Sequence, residues 1–179
     1  MLSALKPGGT FLIASPYGKD EVWDRMPAEV QKQLIDKKAK FYIIDASGIA
    51  EKAGMGRRIN VTMQTAFFKV SGVLPEAEAV ELIKKAVEKT YGRKGREIVE
   101  RNIATIDMAL AGVEAVPVPA KASSRLHMRP PVAADAPQFV REVIGPMVAL
   151  KGDKLPVSKL PDDGTYPTGT TKYEKRNIA

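Results

Sequence analysis

An α/β layer is the fold class this sequence predicts, and three observations predict it. Two short apolar runs are bounded by turn residues, an amphipathic helical pattern lies between them, and past Asn60 the text changes to helical stripes. At 179 residues, with 44% hydrophobic and 27% charged, the chain is sized for one domain with a core plus an extension.

After Gly8-Gly9, the run Thr10-Phe11-Leu12-Ile13-Ala14 is closed by Ser15-Pro16-Tyr17-Gly18, the pattern of a buried strand. Phe41-Tyr42-Ile43-Ile44-Asp45 repeats it. Between them Trp23, Met26, Val30 and Leu34 recur at three- and four-residue steps, and Pro27 stands where a second helix can begin. Strand, helix, strand implies a right-handed crossover and a parallel pair. Met63, Ala66, Phe67 and Val70 then share one face of a short helix ended by Ser71-Gly72. Pro75-Glu76 opens a helix carrying Val80, Ile83 and Val87, which Thr90-Tyr91-Gly92 closes with a glycine in the usual C-terminal place. In the clearest helix Val99, Ile103, Ile106, Leu110 and Val113 form one stripe. Two strands and about four helices make an incomplete α/β layer.

Four prolines between Val116 and Val132 mark a connector that leaves the layer. A helix follows near 135–150, with Phe139, Val140, Ile144 and Met147 as its apolar side, and beyond Gly152 the chain is punctuated by proline and glycine.

No window approaches the roughly 18–20 unbroken apolar residues of a membrane span, and the N-terminus does not read as a signal peptide, so the cytoplasm is the expected compartment. The absence of cysteine excludes a thiolate nucleophile and any Cys-held zinc or iron–sulfur cluster within these residues. A formal charge of +7 suits an anionic partner. The cations are spread among acidic neighbours rather than drawn into a phosphate-tracking stripe, which disfavours nucleic acid.

His127, the single histidine, lies near Ser123, Ser124 and Asp135, but all sit in or beside a proline-rich connector, so a surface histidine is expected rather than a triad. Asp162-Asp163 reads as a turn. No catalytic or metal-ligating constellation is found. The stretch with a positive case is Glu51 to Asn60. Gly54 and Gly56 allow close backbone approach, Asn60 can cap the following helix, and Arg57 and Arg58 supply charge near the positive end of its dipole. It makes a plausible anion seat without the third glycine of a dinucleotide fingerprint, and a tight turn that only packs the helix is the competing reading.

The phrases GGTFLIASPY (8–17), EVWDRMP (21–27), EKAGMGRRIN (51–60), MQTAFFKVSGVLP (63–75) and KTYGRKGREIVERN (89–102) resemble, in order, the gamma region of pyruvate:ferredoxin (flavodoxin) oxidoreductases. DGTYPTGTTKYEKRNIA (163–179) resembles the Glu-Lys-Arg segment that follows it in the single-chain enzymes, through Glu174, Lys175 and Arg176. The resemblance implies the second half of a Rossmann-like, doubly wound parallel sheet in three layers, with a helical, proline-rich C-terminal extension. Boundaries are expected at 1–118 for the gamma-type part, 119–160 for the connector and 161–179 for the start of the Glu-Lys-Arg segment.

The whole enzyme so implied is a homodimer that decarboxylates pyruvate or a related 2-oxoacid with thiamine diphosphate. It passes electrons through 4Fe–4S clusters to ferredoxin or flavodoxin and transfers the acyl group to coenzyme A. Gly54, Gly56, Arg57, Arg58 and Asn60 would then lie near coenzyme A, while thiamine diphosphate and the clusters would be held by other domains or subunits. The family's gamma region begins earlier, with a glycine-rich turn, and its thiamine- and cluster-binding modules are not matched here. The chain is accordingly expected to be a piece, inactive alone, with 165–179 extended or poorly packed. Two further readings stay open: a free-standing basic module docking an anionic macromolecule, and a domain piece whose sheet edge pairs with a missing half.

Overall fold

The computed structural model describes residues 2–173, and these divide into two compact units, 2–127 and 128–173. In the first, the two predicted strands, β1 (Thr10–Ala14) and β2 (Lys40–Ile44), pair in parallel from Thr10 opposite Lys40 to Ala14 opposite Ile44. A third strand, β3 (Glu114–Val116), lies antiparallel on the far side of β2, with Phe41 opposite Val116 and Ile43 opposite Glu114. The sheet is therefore mixed, β2 is central and β1 is an edge.

Sequence patterning had assigned Val113 to the last helical stripe and Val116 to the connector; the helix instead ends at Gly112 and Val116 joins the sheet. A Cβ at Gly112 would lie 2.9 Å from Ile49 Cδ1, so glycine lets the helix pass close beside its neighbour, and Val113 then turns to extended backbone. A three-residue strand is too short to announce itself by alternation.

Helices cover both faces. On one side α1 (Val22–Arg25) and α2 (Ala28–Asp36), separated by Pro27 as expected, bring Val22, Trp23, Met26 and Leu34 against Phe41, Ile43 and Val116. On the other, α3 (Ala46–Lys52), α4 (Asn60–Ser71) and α6 (Arg96–Gly112) bring Ile49, Ala66 and Ala109 against Ile44, with Leu12 of β1 packed alongside. This is a three-layer α/β arrangement. α5 (Glu76–Tyr91) closes a third cluster, Ile83 and Val87 meeting Val61 and Ile106.

Several helices end on a left-handed residue. After α3, Gly54 (φ 69°) donates to Glu51 O at 2.9 Å and Met55 N to Ala50 O at 2.7 Å, which satisfies the last carbonyls of the helix. Gly72 (φ 63°) ends α4 likewise. Lys38 (φ 48°) performs the role after α2, with Ala39 N on Leu34 O at 3.0 Å. Gly92 does not: it keeps helical angles, and the positive φ falls at Gly95 after a 3-10 turn. The buried face of α4 is also rotated from the predicted one. Val61, Thr62, Thr65 and Ala66 are buried, while Phe67 is 51% exposed because α4 packs between α5 and α6 rather than on a single neighbour.

Residues 117–127 return across α1 and α2. Gln31, fully buried on α2, donates through Nε2 to Trp23 O at 2.6 Å and accepts from Ser123 N at 2.9 Å and Ser124 N at 3.0 Å. One amide thus ties α1, α2 and the returning strap.

The 128–173 unit has its own small core. A π-helical segment (Val140–Ile144) runs into α7 (Gly145–Val148), and Ala136, Val140 and Ile144 pack with Val132, Phe139 and Tyr173. Pro146 has no N–H to give the preceding turn, and Gly145 N reaches back five residues to Val140 O. The widened turn moves Val143 into the buried set and leaves Met147 48% exposed, against the predicted stripe. The expected loose packing from Thr165 onward is seen over most of 165–173, which is exposed, but two rings make contacts: Tyr166, itself 48% exposed, meets Phe139 edge-on at 5.1 Å, and Tyr173 packs, partly buried, against the core. Glu174, Lys175 and Arg176 lie outside the described residues.

Candidate functional site

The predicted anion seat is the turn between α3 and α4. α3 starts immediately after β2, where the Asp45 side chain accepts from Gly48 N at 2.9 Å. A Cβ at Gly48 would fall 2.1 Å from Asp45 Oδ2, so any larger residue there would force the Asp45 carboxylate to shift. After the Gly54 turn, Arg58 N donates to Met55 O at 3.3 Å and Met55 is buried, anchoring the loop from below. Gly56 also takes a positive φ (59°) and has open space around it.

Arg57, Arg58 and Asn60 are all exposed, and neither arginine is in an ion pair among the described residues. Asn60 is not the cap that its residue type suggested. It is the first helical residue, Ile59 holds the cap position, and no side chain bonds the first-turn N–H groups of α4. Among the described residues those donors have no side-chain acceptor at the positive end of a 12-residue helix, with Asn60 exposed and Val61 and Thr62 buried. Thr62, in the same turn, has a buried hydroxyl with no partner among the described residues.

Sequence reasoning missed Arg101. From α6 its guanidinium lies over the turn: a Cβ built on Gly54 would be 3.5 Å from it, and Nη1 donates to Gly54 O at 3.4 Å. Nη2 pairs with Glu97 one turn back. That i,i+4 pair was legible in the text, but its reach across to Gly54 is tertiary. The structure thus joins the five predicted residues with a third cation. The whole turn stands beyond the seven residues of α3, some 10 Å of helix from the end of β2, and not directly at a strand end as in dinucleotide sites.

The other polar constellations resolve as structural. His127 Nδ1 faces Glu29 Oε1 at 2.9 Å on the surface, and Ser123 Oγ donates to Asp24 at 3.0 Å, so no triad assembles. Asp163 is a turn residue that accepts from Thr165 N at 2.9 Å and Thr165 Oγ1 at 2.7 Å; the hydroxyl first, then the amide, holds its carboxyl below the usual aspartate range. Among the described residues no cluster of three or more potential metal ligands occurs, and no helix is long and apolar enough to cross a membrane.

Comparison with known proteins matches residues 1–112 to the family described as pyruvate ferredoxin/flavodoxin oxidoreductase, and residues 125–179 to a domain of unknown function named EKR. The putative pyruvate-flavodoxin oxidoreductase of Synechocystis sp. is 55% identical over 96% of this chain and 14% of its own length. The probable pyruvate-flavodoxin oxidoreductase of Escherichia coli is 50% identical, and the pyruvate:ferredoxin oxidoreductase of Moorella thermoacetica 46%, each over 100% of this chain and 15% of its own length. Among solved structures, the pyruvate oxidoreductase subunit PORC of Thermotoga maritima aligns with a TM-score of 0.46 at 20% identity, over 64% of this chain and 61% of that one. The chain thus spans about one seventh of the length of the curated relatives it matches. With more than half of its residues matched by the family model, the chain belongs to the pyruvate ferredoxin/flavodoxin oxidoreductase family.

Proposed function

We propose that this chain works as part of a coenzyme A-dependent pyruvate (or related 2-oxoacid) oxidoreductase that delivers electrons to ferredoxin or flavodoxin in the cytoplasm. Its own role is to scaffold neighbouring domains or subunits and to contact coenzyme A at 54–60. The observation that carries the coenzyme reading is the basic turn in front of an uncapped helix: among the described residues Arg57 and Arg58 are exposed and outside any ion pair, and the first-turn N–H groups of α4 have no side-chain cap. Phosphate groups suit such a site, since the helix end offers N–H donors and the guanidinium groups offer charge-assisted ones. In the whole enzyme, a homodimer on this reading, thiamine diphosphate would supply decarboxylation and 4Fe–4S clusters electron transfer. With no cysteine, these residues do not hold a cluster.

Titration calorimetry with coenzyme A tests the reading. Binding is expected to weaken at least about tenfold in Arg57→Ala plus Arg58→Ala, the loss of two charge-assisted contacts. Unchanged affinity, or affinity equal for DNA and steeply salt-dependent, overturns the coenzyme site in favour of a general anion-binding surface. The purified chain alone is expected to show no 2-oxoacid-dependent acceptor reduction, and its detection would overturn the division of labour proposed.

A further inference from the structure

A cavity of about 360 Å³ is in the 128–173 unit and shares no lining residue with the 54–60 turn. One wall is Pro131 and Val132; the other is the π-helical segment and the start of α7, with Pro146. The two walls meet at Gly145, where a Cβ would come 3.1 Å from Val132 Cγ2 and 3.5 Å from Val140 O. The glycine keeps the walls in contact at the base of the groove. The prolines fix backbone torsions on both sides, so the groove is preformed and loses little freedom on filling.

Among the described residues its rim is charged in one sense only: Arg141 and Lys151 line it, and no acidic residue does. The neighbouring carboxylate, Glu142, is engaged by Lys159 Nζ at 2.6 Å and Gln138 Nε2 at 3.0 Å, and neither rim cation is in an ion pair among the described residues. Lys151 is held in place through its backbone: after α7 the chain turns on Leu150 (φ 58°), and Lys151 N donates to Pro146 O at 2.8 Å.

We propose that this groove docks an acidic, apolar-bearing segment of the polypeptide that the longer family members carry beyond this region. An apolar side chain would occupy the proline-lined floor, and flanking carboxylates would meet Arg141 and Lys151. The sign of the rim selects a carboxylate-bearing partner, and the relatives supply its source, since this chain spans only 14–15% of the three compared. The proposal rests on family membership and not on coenzyme binding at 54–60.

Overlapping short peptides covering the rest of the Synechocystis relative, immobilised and probed with this purified chain, test it. Retention on one or more acidic, apolar-containing peptides is expected. It should fall at least about tenfold in Arg141→Glu plus Lys151→Glu and weaken with added salt. A second variant, Ala149→Trp, fills the groove and leaves both cations; it should abolish retention while the far-UV circular dichroism stays unchanged. The proposal is overturned if no peptide is retained, or if either variant retains the peptides as well as the unsubstituted chain does. It is also overturned if octanoate displaces every retained peptide, which makes the groove a small-carboxylate site, or if sedimentation shows self-association lost in both variants, which makes the occupant a second copy. Coenzyme A titration of the same variants separates the two proposals, because neither variant touches Arg57 or Arg58.

Discussion

At the scale of single residues, the left-handed helix ends are the sharpest test of the physical account. Gly54 needs its positive φ, so Gly54→Ala is expected to cost about 1 kcal/mol, while Lys38→Gly and Leu150→Gly, which relieve the same strain, should each stabilise by about 0.5–1 kcal/mol in urea unfolding. Asp163 gives a pH test. Its folded pKa is depressed, so its contribution is present above the unfolded value and is lost as pH falls through the folded one. Thr165→Val removes the larger cause and should raise the NMR titration midpoint of Asp163 toward the ordinary aspartate value. Legibility at this scale follows chain distance. The glycine–arginine turn was readable because its members are contiguous, whereas Arg101 and Gln31 act on groups 47 and 92 residues away, which no local pattern encodes. Asn60 misled because residue type suggests a cap and only backbone geometry decides which residue takes it.

At the scale of elements, the two parallel strands and the helices of 2–127 were legible because apolar runs and stripes are strong signals, while β3 and the π-helical turn were not. Both of those are local responses to packing, one to the close pass at Gly112 and one to Pro146. The sheet edge supplies its own prediction. Ser15 N bonds Ile44 O at 3.0 Å and Lys40 N bonds Gly9 O at 2.9 Å, so parallel alternation directs the backbone groups of Thr10, Leu12 and Ala14 away from β2. β1 is uncharged and apolar on both faces, the composition of an interior strand, yet it has no second neighbour among the described residues. The isolated chain is expected to associate through this edge. Ala14→Lys, at an exposed position, should shift sedimentation toward monomer; association that is unaffected places the contact elsewhere.

At the scale of the whole molecule, residues 2–127 contain all three strands, both sheet-facing cores and the strap that Gln31 pins. A chain ending at His127 is therefore expected to keep its far-UV circular dichroism and a cooperative melt, whereas one ending at Val118 loses both strap bonds to Gln31 and should unfold at lower urea. The same amide that holds the strap also holds the carbonyl of Trp23, whose ring lies in the first core and which is the only tryptophan of the sequence. The single tryptophan thereby sits at the junction of α1, α2 and the returning chain. Its emission wavelength and quenching would record strap detachment before the sheet itself opens, so the order in which this fold comes apart can be followed optically without adding a label.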